Sequence, residues 1–186
     1  MRLVWWSRTT VPRGTLCPAR IIRDRHGVAA MEFALIAPLL LALILGILNT
    51  SLIFLAQSGL ETSAEAAARI IMTGQAQNAG MTQGQFQTAA CATLPPFLQC
   101  NRLYVDVTNV SSFSSASLGA PTFTYDKNGN VTNSFSFSPG TRGSIAVVRL
   151  MYLWPTTNGP FGLQLSNTSG NNRLLQATSV LKTEYY

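Results

Sequence analysis

From Val28 to Ala56 the chain is apolar almost without interruption, and its one charged side chain there is Glu32. Asn49, Thr50 and Ser51 are the only other clearly polar side chains in the run. About 20 apolar residues suffice to cross a bilayer as a helix, and Phe33–Leu48 with its flanks reaches that length. Pro38 removes one backbone donor near the start and predicts a kink, which a membrane helix tolerates. A carboxylate at the mouth of such a helix is costly to place in lipid and asks for a reason.

Charge divides the chain at the same place. Residues 1–27 hold Arg2, Arg8, Arg13, Arg20, Arg23 and Arg25 against Asp24 alone, so they carry most of the formal charge of +6. The remainder is nearly neutral and offers no basic face for a nucleic acid. Arginines precede the run and none follows until Arg69. The positive-inside rule then predicts a single pass, with residues 1–27 cytoplasmic and the bulk of the chain on the far side. The run is too long for a secretory h-region, and no small-x-small site follows it closely. Cys17 follows Gly14-Thr15-Leu16 rather than an apolar segment, which argues against a lipoprotein cysteine and assigns it to the leader.

The junction reads Gly27, then Val28-Ala29-Ala30-Met31, then Glu32-Phe33. A short basic leader, a Gly, four residues, then Glu and an aromatic opening an apolar helix is the pattern of type IV prepilins and pseudopilins. Within that superfamily the string from His26 to Leu40 resembles the TadE family, minor pseudopilins of the Tad (tight adherence, Flp-type) pilus. Ala66-Ala67-Ala68-Arg69 and Gly74 match the Ala-rich helix end of that family, and Leu174–Tyr185 is similar to its closing strand. The middle of the chain carries no resemblance.

The resemblance implies cleavage between Gly27 and Val28 by a prepilin peptidase, with Glu32 and Phe33 as the processing and assembly motif. It also implies an inner-membrane protein with a periplasmic domain, partnered by other pilins, the Tad assembly platform and membrane lipid. Pilus assembly or secretion, adhesion and biofilm formation follow from it, as does priming or capping the filament. Chemistry agrees with this. Gly lets a peptidase approach the backbone closely. Cleavage would create an ammonium at Val28, and Glu32 lies one helical turn on, on the same face. Pairing of the two charges, within one chain or between neighbours, would offset much of the cost of burying either.

Past the bilayer the helix is expected to continue. Ala64, Ala67, Ala68 and Ile71 recur at helical spacing, while Glu61, Glu65 and Arg69 mark another face. Gly74 and the Gln/Asn/Gly stretch after it read as a stop. A helix from Val28 to Thr73 would be about 69 Å long at 1.5 Å per residue. The expected division is leader 1–27, membrane helix 28–56, helical extension 57–74, and a disulfide loop with an antiparallel β domain over 75–186. Cys91 and Cys100 flank Pro95-Pro96, and outside the cytoplasm two such cysteines are expected to form a disulfide. A metal site would need more ligands, and the one His, His26, lies in the leader.

Strands are expected at Leu103–Thr108, Thr122–Tyr125, Val131–Phe137, Ile145–Trp154 and Leu174–Lys182. Asn128-Gly129 is read as a hairpin turn, with Val131, Phe135 and Phe137 on one face. Arg149 is an oddity in an apolar strand, expected to reach the sheet edge or to pair with a carboxylate such as Asp106. The fold class is therefore α+β and pilin-like: a long helix followed by a four- or five-stranded antiparallel sheet. There is no P-loop, dinucleotide fingerprint, G-x-S-x-G or H-E-x-x-H. No enzyme, cofactor or small-molecule substrate is predicted. The rival is an uncleaved single-pass membrane protein that uses its far-side domain for binding.

Overall fold

The computed structural model describes residues 27–168 and 170–185, and the leader, with Cys17 and His26, lies outside them. The chain divides into two compact units, one ending at Leu41 and the other comprising Ala42–Tyr186. Helix α1 (Val28–Met72) begins in the first unit, runs through Pro38, and continues in the second. Within the second unit its buried residues are Ile53, Ala56, Leu60, Ser63, Ala64, Ala67, Ala68 and Ile71. Their spacing of three and four residues draws one stripe along the helix. Glu61, Glu65 and Arg69 are exposed on a different face.

The helix stops where the sequence reading puts the break. Gly74 has φ 74°, a left-handed conformation that costs Gly no Cβ clash. Met72 O, left over at the last turn, finds a donor from afar in Glu184 N–H at 2.9 Å, and Gln77 Nε2 adds a second bond, at 3.2 Å, to Ile71 O, which already accepts Gly74 N–H. After the break come two short helices that the sequence reading did not anticipate, α2 (Gln75–Asn78) and α3 (Gln83–Cys91). The start of α3 is a reciprocal capping box. Gln85 N–H donates to Thr82 Oγ1 at 3.3 Å, and Thr82 N–H donates to Gln85 Oε1 at 2.9 Å.

Strands β1 (Leu103–Val110), β2 (Ile145–Pro155) and β3 (Asn172–Lys182) form one antiparallel sheet in the order β1-β2-β3. Val107 faces Val148, and Leu150 faces Ala177. The nearly unbroken apolar sequence of β2 suits a central strand covered on both faces. Ala146, Val148, Leu150 and Tyr152 join the core built on the α1 stripe and on Phe86 of α3. Met151 and Leu153 form a second, smaller core with Phe123.

Three strands rather than four or five is a correction, and its cause is local. The Asn128-Gly129 turn forms, with Gly129 at φ 81° and an isolated bridge between Tyr125 and Val131. Beyond one further backbone bond, from Thr132 N–H to Thr124 O at 2.9 Å, side chains replace the ladder. Asn133 Oδ1 accepts Thr124 N–H at 2.7 Å, and Asn133 Nδ2 donates to Thr122 O at 2.9 Å. The segment lies as an arm across the second face of the sheet, and its aromatics cover that face. Tyr104, Phe123 and Phe135 meet with ring centroids 5.5–5.7 Å apart. The arm then touches the free edge of β1 through one parallel bridge, Val107 to Phe137. Phe137 turns into the main core against Phe86, at 5.2 Å. Phe135 and Phe137 therefore serve different cores, contrary to the single face expected for them.

Candidate functional site

The first unit, from Gly27 to Leu41, presents the junction motif on an open helical surface. A Cβ at Gly27 would meet nothing within 4 Å. Val28 and Glu32, one turn apart, are both exposed, and Phe33 is 73% exposed. Among the described residues no side chain pairs with Glu32.

In the second unit the apolar run stays uncovered until Ile53. Leu43, Ile44, Leu45, Ile47 and Leu48 are exposed, and so are Leu52, Phe54 and Leu55. From Ile53 onward one stripe turns inward, and Leu60 is fully buried. Among the described residues α1 is the one helix long and apolar enough to cross a membrane, and only 11% of its most apolar window is buried. A core helix of a soluble domain would bury that window. Thr50 and Ser51 satisfy their hydroxyls locally, donating to Gly46 O at 2.9 Å and to Ile47 O at 2.8 Å. Neither therefore presents a free polar group to an apolar surround.

Behind the stripe, the domain grips α1 through backbone and sulfur. Cys91 and Cys100 are joined by a disulfide with Cα atoms 5.6 Å apart, closing the Pro95-Pro96 loop. That loop lies against α1 so closely that a Cβ at Gly59 would stand 2.5 Å from Pro95 Cγ. Ser63, fully buried, donates to Thr93 O at 3.0 Å. On the sheet, Gln57 Nε2 donates to Gln176 O at 2.9 Å.

The second face of the sheet carries a charge pair, buried Asp106 and half-buried Arg149, at 3.4 Å. Of the two alternatives the sequence left for Arg149, this is the carboxylate. Tyr104 beside it has its phenol pKa raised by burial and by Tyr125, with Arg102 pulling the other way. Asp126, in the arm's turn, has its carboxyl pKa lowered, first by the Asn130 side chain and then by the N–H groups of the turn. Among the described residues no group of three His, Cys, Asp or Glu is placed to hold a metal ion. What the sequence reading missed are α3 and its cap, for which Thr82-x-x-Gln85 was the legible signal.

A long exposed apolar helix whose second half is clamped to a small antiparallel sheet defines a helix-anchored α+β protein. Residues 27–69 match the family model for TadE-like protein, the family that the junction motif resembles. The match implies association with the Tad pilus and contact with other pilus components. No curated protein matches the chain, and no solved structure does.

Proposed function

We propose that this chain is a minor pseudopilin of a Tad-type pilus, cut between Gly27 and Val28 by a prepilin peptidase and working without catalysis. It sits in the inner membrane with its N-terminus cytoplasmic and its sheet domain periplasmic. From there it joins the assembly platform and other pilins, supporting pilus assembly, adhesion and biofilm formation. The observation that carries this is the change along α1 at Ile53. Before it, large apolar side chains face outward all round; after it, one stripe serves the chain's own core. A helix apolar all round needs either lipid or other helices to cover it, and an assembling pilin passes from the first to the second. Glu32, exposed one turn from Val28, is positioned to meet an ammonium created there by cleavage.

The test is the mature N-terminus, read by mass spectrometry of membrane fractions with and without the peptidase. A peptide starting at Val28 only when the peptidase is present supports the reading. An intact leader in both samples rejects it and leaves a signal-anchored protein with a binding domain.

A further inference from the structure

The connection between β2 and β3 bends back toward the membrane helix, and what it meets there depends on the membrane reading of α1 given above. Residues 159–163 form a tight turn closed by Gly159 N–H donating to Leu163 O at 2.8 Å. The turn delivers Leu163 to α1: a Cβ at Gly46 would lie 3.6 Å from Leu163 Cδ2. Gly46 is inside the apolar run, about two turns before Ile53. Ile44, Leu45, Ile47 and Leu48 around it are all exposed. A side chain touching the helix at that level shares their depth. Leu163 nonetheless keeps 41% of its surface exposed.

The same end of the sheet carries the residue types that favour a membrane–water boundary. Trp154 faces Arg173 across β2 and β3, and Arg173 Nη1 donates to Leu165 O at 3.0 Å. Trp suits the headgroup level, and Arg keeps its stem on apolar surface while its head stays wet.

We infer that the turn over 159–165 is a second membrane contact, with Leu163 entering the acyl boundary of the leaflet nearest the domain and Arg173 facing lipid phosphates. Lipid is the occupant because the exposed surface of Leu163 is continuous with the exposed apolar surface of α1. It adds a boundary contact beside the transmembrane anchor and so restrains the domain against the bilayer surface.

The test uses the full chain with Cys17→Ser, leaving Cys91 and Cys100 paired. A single cysteine carrying an environment-sensitive fluorophore is placed at Leu163, Gln164, Leu45 or Gln75. The proteins are reconstituted in phosphatidylcholine–phosphatidylglycerol vesicles with and without a doxyl-lipid quencher. The Leu163 and Gln164 probes are expected to emit in the blue and to be quenched about twofold more than the Gln75 probe. The Gln164 probe repeats the measurement with Leu163 intact, so a folding defect at Leu163→Cys does not decide the result. Quenching at Leu45 without quenching at either turn position overturns the inference and leaves the membrane reading standing. Blue emission at the turn that ignores the quencher means protein covers it, which also overturns the inference. Loss of quenching at Leu45 itself overturns both.

Discussion

Asp106 and Arg149 stand opposite each other across β1 and β2 and share the two ends of one arm. Asp106 Oδ1 accepts Ser136 N–H at 2.9 Å while its Oδ2 lies 3.4 Å from Arg149 Nε. Arg149 Nη1 donates to Gly119 O at 3.4 Å. The Nε contact is ionic and lacks hydrogen-bond geometry. One charge pair thus pins the arm to the sheet where it arrives and where it leaves.

Asp106→Ala is expected to cost about 2–3 kcal/mol, toward the low side of a broken buried pair, because it strands a half-buried guanidinium. The double variant Asp106→Leu with Arg149→Met is expected to recover most of that loss. Urea titration of the detergent-solubilised chain measures all three. Equal losses in the single and double variants would show that the stranded guanidinium is not what the single substitution costs.

Gly59→Val forces side-chain atoms into Pro95, with a Cβ alone already 2.5 Å from Pro95 Cγ. Overpacking of this kind costs about 1–3 kcal/mol. The same titration reads it, and Gly84→Val, where a Cβ meets nothing within 4 Å, is a control for helix propensity.

Opening the Cys91–Cys100 bond by Cys→Ser substitution at both positions is expected to lower stability by about 2–3 kcal/mol for so short a loop. Thermal unfolding with and without reductant checks it: reductant should move the wild-type transition and leave the variant's unchanged.

If the chain is a pseudopilin as proposed, Glu32→Ala is expected to leave cleavage after Gly27 intact and to block assembly. An unpaired Val28 ammonium in an apolar filament interior costs about 3–5 kcal/mol, or about 100-fold or more in incorporation. Mass spectrometry of membrane and sheared-pilus fractions separates the two steps. Normal recovery in the pilus fraction would remove Glu32 from assembly.

Acid should loosen the arm's turn. The Asp126 carboxyl accepts Asn128 N–H and Asn130 N–H, both at 2.8 Å, and Asn130 Nδ2 at 3.0 Å. These bonds favour the ionised form, so the folded pKa lies below the ordinary 3.8. The contribution is whole above that ordinary value and disappears as pH falls through the lowered folded one. An NMR titration of Asp126 and of the Asn128 and Asn130 amides gives the folded midpoint. A midpoint at or above the ordinary value would contradict the geometry.

Periodicity carried most of what the sequence could say. The α1 stripe, the three strands and the break at Gly74 all follow from spacing, because a helix or strand with one buried face repeats its apolar residues. The arm escaped for a physical reason. Thr122–Phe137 has strand-like alternation, yet Asn133 takes the backbone groups of Thr122 and Thr124 that a neighbouring strand would have used. Its aromatics then answer to a sheet face distant in sequence. Helix α3 was hidden by a polar, Gln-rich composition that buries only Phe86 and Ala90. The junction at Gly27–Phe33 was readable as a motif, whereas the grip of Pro95 on Gly59 depends on chain folding that no local pattern announces.

The buried alanines of α1 have a consequence for how this chain tolerates change over generations. Ala56, Ala64, Ala67 and Ala68 let the sheet and loops approach the helix closely, so a larger side chain at any of them has nowhere to go. On the proposed membrane placement, the medium around the helix before Ile53 is fluid, and Leu, Ile, Val and Phe are nearly interchangeable to it. Mutational drift should therefore run freely in shape but narrowly in polarity on one side of Ile53, and the reverse on the other.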